Sequence, residues 1–135
     1  MDADGVGSAQ VAETIVAMER SALERWGQGD PDGFLEISAR EVSYFDPFIE
    51  ERIDGLDGLR AFYEQLRGKV DFKSFEIIDP RVQVAGGIAV LTFHFESADS
   101  EAAMRWNTTE VYQQTGEGWR IIHTHWSLHQ QQPAS

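Results

Sequence analysis

The sequence predicts an α+β fold in which amphipathic helices pack on an antiparallel sheet, and three observations carry that prediction. Apolar residues recur every three to four positions through the first half of the chain. After Asp71 the period drops to two, and Gly, Pro and Asp-Gly steps punctuate the segments. Helices come first and a meander of long strands follows, the order of an α+β domain rather than of alternating strand–helix units.

Residues 1–8 read as a flexible lead-in, residues 9–130 as one domain and residues 131–135 as a flexible tail. In the first helix Val11, Ile15, Met18, Ala22 and Trp26 form one apolar stripe. Ser8 is placed to cap its start, and Gly27 and Gly29 to end it. Asp30-Pro31 starts a short second helix to about Ser38: Asp30 can cap free N–H groups, and Pro31 suits a position whose N–H has no partner. A strand is expected over 41–45, stopped at Asp46-Pro47, and a short one over 49–53. Asp54-Gly55 turns into a third helix with Leu56, Leu59, Phe62, Tyr63 and Leu66 inward, stopped by Gly68. Strands follow over 72–79, 81–85, 88–97, 102–115 and 119–130. Pro80 implies an edge or a bulge, because it cannot donate to a ladder.

At 135 residues, with 41% hydrophobic and 25% charged residues, the chain can bury a core of its own. Eleven Lys and Arg face 23 Asp and Glu, a formal net charge of −12, with no basic cluster. Nucleic acid and anionic membrane are thereby excluded as expected partners, since phosphate binding needs dense positive charge. With no cysteine there is no disulfide, thiol nucleophile or zinc–thiolate site. The start, Met1-Asp2-Ala3-Asp4-Gly5, is acidic where a signal peptide is positive, and no long apolar stretch follows; a cytoplasmic location is expected.

The last strand carries large groups on both faces: Trp119, Ile121, His123, His125 and Ser127 alternate with Arg120, Ile122, Thr124, Trp126 and Leu128. Helices on one side of a sheet do not account for apolar groups on both. The expectation is a homodimer or larger homo-oligomer through the face with Trp126 and Leu128.

Four stretches together resemble the nuclear transport factor 2-like superfamily, which includes SnoaL-like and ketosteroid-isomerase-like domains. They are Trp26-Gly27-Gln28-Gly29-Asp30, Tyr44-Phe45-Asp46-Pro47, the helix start from Gly55 to Tyr63, and Thr109-Glu110-Val111-Tyr112 with the run from Gly118 to Ser127. The likeness spans about Val11 to Ser127 and is strongest to the association domain of calcium/calmodulin-dependent protein kinase II; no kinase domain is present. The resemblance implies a cone-shaped, cystatin-like roll, a strongly bent sheet, a pocket in the cone and dimerisation through the sheet. It does not imply one chemistry, because relatives include isomerases, cyclases, dehydratases and oligomerisation modules.

Against that background the candidate residues each carry two readings. Asp46 resembles the isomerase's general base, since a carboxylate in an apolar pocket has its pKa raised toward neutrality; equally, Asp before Pro caps turns. Glu110 shares a strand face with Met104, Trp106, Thr108 and Tyr112 and resembles the isomerase's second, protonated acid, or is an ordinary strand glutamate. The isomerase's oxyanion tyrosine falls near Ala22, which has no hydroxyl; Tyr44, Tyr63 or a histidine can stand in for it. His123 and His125, two apart on a strand, point to one face about 7 Å apart, as ligand-orienting groups, an acid–base pair, metal ligands together with Glu110 from the neighbouring strand, or ordinary sheet histidines. No third metal ligand is fixed by spacing, so no metal and no cofactor are expected. Arg105 is a carboxylate-binding or an interface charge, and Trp26, Phe62, Tyr63 and Trp106 are lining candidates.

Two functions follow. One is a pocket protein binding a mostly apolar, carbonyl- or carboxylate-bearing ligand, in its catalytic form a cofactor-independent isomerase or cyclase with Asp46 as base and Glu110 or His123 as oxyanion donor. The other is a non-catalytic oligomerisation or ligand-sensing module.

Overall fold

Helix α1 runs Ala3–Gly27, so it takes in most of the expected lead-in, and Ser8 lies inside it rather than capping it. A computed structural model describes residues 3–98 and 103–129, and the expected tail lies outside them. Helix α2 (Asp32–Glu36) is shorter than expected; the Asp30 carboxylate accepts the Asp32 N–H at 3.0 Å, as the Asp-Pro step suggests. Strand β1 (Ser38–Phe45), the two-residue β2 (Ile53–Asp54) and helix α3 (Leu56–Glu64) follow. Four long strands complete the chain: β3 (Ser74–Ala85), β4 (Ile88–Ala98), β5 (Ala103–Thr115) and β6 (Gly118–Leu128).

The fold class is α+β as expected, with one six-stranded sheet in the order β2-β1-β6-β5-β4-β3. Every pairing but one is antiparallel: β1 runs parallel to β6, bringing Tyr44 beside Thr124. Pro80 does not split β3. That strand is an edge, and its ladder to β4 slips between Ile78 and Arg81, where Asp79 takes φ +52°. Edge and bulge are the two places a residue without an N–H fits.

The core lies between α1, α3 and the inner face of the sheet, on Ile15, Leu23, Leu59, Leu91, Tyr112 and Ile121, all less than 2% exposed. On β5 the inner residues are Trp106, Thr108, Glu110 and Tyr112, the face expected for Glu110. On β6 the alternation is broken. Tyr112 pairs with Ile121 and Val111 with His123, leaving Ile122 as an extra residue. Such a bulge reverses the facing of everything beyond it. Ile121 points inward, yet so do Thr124 and Trp126, and His123 and His125 face the other way beside Ser43 and Phe45. The expected contact face is corrected accordingly: Trp126 packs edge-on against Phe93, Phe95 and Trp106 inside the cone.

Candidate functional site

A cavity of about 530 Å³ opens between α1, α3 and the inner face of the sheet. Leu23 and Trp26 from α1, Phe62 and Tyr63 from α3, Tyr44 from β1 and Trp106 from β5 are among its walls. The helical residues face inward because their spacing keeps them on one stripe of each helix. The strand residues face inward because the sheet side chains alternate. Trp26 meets Tyr63 edge-on at 4.9 Å and Tyr63 meets Tyr44 at 5.6 Å, so aromatic rings fix one another's orientation around the opening.

Two carboxylates, Asp46 and Asp71, and the Lys69 side chain are also in this wall, and Asp46 is the carboxylate that the aromatic residues hold. It follows directly on β1, and both its oxygens are engaged: Oδ2 accepts the Tyr44 hydroxyl at 2.8 Å and Oδ1 the Phe48 N–H at 2.7 Å. The second bond is the turn cap that Asp before Pro suggests, so the turn holds the same side chain that the cavity presents. The Tyr63 hydroxyl interacts in turn with that of Tyr44. Burial raises the pKa of Tyr44 first, with Tyr63 and the Asp46 charge adding to it; burial likewise raises Tyr63. Both hydroxyls stay protonated donors at neutral pH. They stand in the cavity where Ala22 offers none.

The other sequence candidates separate by depth and by face. Trp26, Tyr44, Phe62, Tyr63 and Trp106 line the cavity with Asp46. Glu110 is on the inner face but wholly buried away from the cavity wall, its Oε1 accepting the Thr124 hydroxyl at 3.1 Å. His123 does not share the cavity. It lies on the outer face, Nδ1 2.7 Å from the Ser43 hydroxyl, its ring against Phe45, and burial followed by the charge of His125 lowers its pKa. His125 is exposed on that same face, in a shallow groove of about 420 Å³ with Asp79, Arg81, His94 and Asn107. Arg105 is exposed and does not line the cavity. Asp46 is therefore not joined by Glu110 or His123 in one hollow, as the sequence reading expected. Among the described residues, no group of three or more His, Asp or Glu is placed to hold a metal.

Sequence reasoning missed two inner residues. Trp126 was hidden by the bulge at Ile122. Glu19 was passed over although it lies four residues after Ile15 and four before Leu23, in the middle of the buried stripe of α1. It is fully buried, accepts the Tyr112 hydroxyl at 2.8 Å through Oε1, and has no protein partner at Oε2. Burial pushes its pKa up to about 8, against the smaller opposing effect of the Tyr112 bond. A polar residue at a stripe position was the available signal.

Comparison with known proteins agrees with this architecture. The family model for the SnoaL-like domain matches residues 15–131. A structure from Parabacteroides distasonis ATCC 8503, provisionally named a ketosteroid isomerase, is 41% identical, with a TM-score of 0.82 over 89% of each chain. An NTF2-like protein from Pseudomonas putida KT2440 is 22% identical (TM-score 0.79, 89% of this chain and 87% of the other). The association domain of C. elegans CaMKII is 16% identical (TM-score 0.77, 90% and 98%). The last two similarities bear on the fold alone. No curated protein matches the chain.

Proposed function

We propose, from the premise that the chain belongs to the SnoaL-like domain family, that it binds a small, mostly apolar, carbonyl-bearing molecule in the aromatic cavity and moves a proton on it. The observation that carries this reading is the Asp46 carboxylate, held at an aromatic wall of the cavity by Tyr44 and the Phe48 N–H. In the forward step the Asp46 carboxylate takes a proton from the carbon next to the carbonyl, and the C–H electron pair becomes the enolate π bond. Negative charge gathers on the ligand oxygen, toward which Tyr63, one of the donors in the wall, turns its single proton from the Tyr44 oxygen. Asp46, now neutral, returns the proton to the same carbon or to one conjugated with it, so neither cofactor nor oxidant enters the balance. The ketosteroid isomerase name of the 41%-identical relative supports the same class of chemistry.

The test is deuterium uptake. A neutral aromatic ketone such as 2-acetylnaphthalene, incubated with the protein in heavy water, should exchange its methyl protons faster than in buffer. Asp46→Asn should slow that exchange about a hundredfold or more, the usual loss for a general base. Exchange equal to buffer, or unchanged in the variant, sinks the reading.

A second reading, self-association, rests on a separate observation: Phe45, His123 and His125 stack on the outer face of β1 and β6, away from the cavity. The likeness in shape to an association domain supports it. Here the outer face, not the one with Trp126, meets a second copy.

A further inference from the structure

Two exposed apolar side chains mark the rim of the cavity. Among the described residues, Phe48 at 69% and Met104 at 42% are the large hydrophobic side chains left exposed, and both line the cavity that holds Asp46. One such side chain on a surface is ordinary; two on one rim, continuous with an apolar wall, mark a contact surface. They come from separate elements. Phe48 lies in the loop after β1, and Met104 lies on β5, two residues before Trp106 and on the same inner face. The Phe48 N–H donates to Asp46 Oδ1 at 2.7 Å, which fixes the loop against the base, and its ring meets Trp106 edge-on at 5.9 Å. Trp106 meets Trp126 at 5.9 Å and Trp126 meets Phe95 at 5.4 Å, so rings run without a break from the rim into the interior. Met104 is held in the ladder opposite Ser97, another lining residue. The other charged lining residues, Lys69 and Asp71, come from a different segment, after α3.

We propose, resting on the reading above, that Phe48 and Met104 are specificity-determining residues that select an elongated ligand. Its apolar chain starts at the carbon that Asp46 deprotonates and leaves the cavity across these two side chains. The geometry favours that route because the base and Phe48 are two residues apart and joined by a hydrogen bond. A chain on this path covers the Phe48 ring and the Met104 thioether, both of which otherwise meet water, and the flexible thioether adapts to its shape. Fully burying a methylene is worth about fourfold in affinity; a rim covers a chain from one side, so about twofold per methylene is expected. The class is a ketone with an apolar head inside the cavity and an unbranched alkyl chain on the reacting carbon.

Equilibrium dialysis of two naphthalene series tests this. Across the 2-acylnaphthalenes from acetyl to octanoyl, affinity should rise about twofold with each added methylene. The slope should flatten in Phe48→Ser, which keeps the N–H that Asp46 accepts, and return in Phe48→Leu. Met104→Ser, at an exposed position of another element, should lower the slope for the longer members, and it decides the matter if Phe48→Ser does not fold. The 2-alkylnaphthalenes, which carry no carbonyl, should show the same increments and the same loss. Increments in both series without deuterium exchange uphold the rim and overturn the proton transfer alone. Exchange on the short ketone with no effect of chain length overturns the rim alone. Slopes in Phe48→Ser and Met104→Ser equal to the parent's overturn the proposal, as does a failure of every member to bind.

Discussion

Glu19 illustrates how a single side chain can weaken a fold while shaping its interior. Its ordinary value of 4.5 describes the unfolded chain, and its folded value is about 8. Between those two pH values the unfolded chain has released a proton that the folded chain retains, so stability falls as pH rises from about 4.5 to about 8 and changes no further from this source. The lost stability is on the order of 3–5 kcal/mol, because a tenfold change in a proton's binding constant is worth about 1.4 kcal/mol. Urea unfolding at pH 5 and pH 8.5 should show that decline in the parent protein and a much flatter profile in Glu19→Gln; parallel profiles would mean Glu19 titrates normally. Tyr112→Phe should cost about 1–3 kcal/mol at pH 5, where the carboxyl oxygen loses its buried donor, measurable in the same titration. Glu19 was legible as an anomaly, a carboxylate at a stripe position, but its partner was not, because Tyr112 lies 93 residues away. Asp46 was legible with its turn, since an Asp-Pro step signals a local bond whatever the fold does around it.

At the scale of elements, two devices position the cavity. One is the approach of the α1–α2 turn to the end of α3: the Gly68 N–H donates to the Gly29 carbonyl at 2.8 Å, and Arg67 reaches across to Asp32. Both glycines have positive φ, +84° at Gly29 and +77° at Gly68. A methyl group at Gly29 would lie 2.9 Å from the Gly68 backbone, whereas at Gly68 it would meet open space. Gly68→Ala should therefore cost about 1–2 kcal/mol from backbone strain, and Gly29→Ala measurably more, compared through urea midpoints. Equal costs would show that the close approach relaxes freely. The other device is the bulge at Ile122. Helix stripes, the turn at Gly116–Gly118 and the period-two strands were legible because each is encoded within a few residues. The bulge was not, because it is defined by the partner strand: Ile121 suits the core, and simple alternation from it carries His123 inward and Trp126 out. That one residue accounts for the exchange of faces. Deleting Ile122 should therefore leave Ile121, Thr124 and Trp126 inward by simple alternation and keep cooperative unfolding in a thermal scan.

For the whole molecule, the sheet leaves its outer face uncovered by either helix of appreciable length, since α1 and α3 pack on the inner side. If the outer face joins two copies, light scattering should return a multiple of one chain's mass, and Phe45→Lys should return it to a single chain; a parent protein of single-chain mass at high concentration removes the second reading. No helix among the described residues is long and apolar enough to cross a membrane. The expected class and the order of helices and strands were readable because length, charge and periodicity are properties of the chain itself. How strands separated by most of the sequence come together was not.

The parallel seam between β1 and β6 also has a consequence for assembly. Ser43 and His123, 80 positions apart, meet across it, so the strand that presents Tyr44 and Asp46 finds its long neighbour only when β6 is in place. Contacts so distant along a chain form slowly and late. A ribosome-bound chain that stops before Gly118 would hold the aromatic residues of α1 and α3 without the wall that carries the carboxylate. The proposed proton transfer should thus require β6 to be made and paired, after α1 and α3 have already formed.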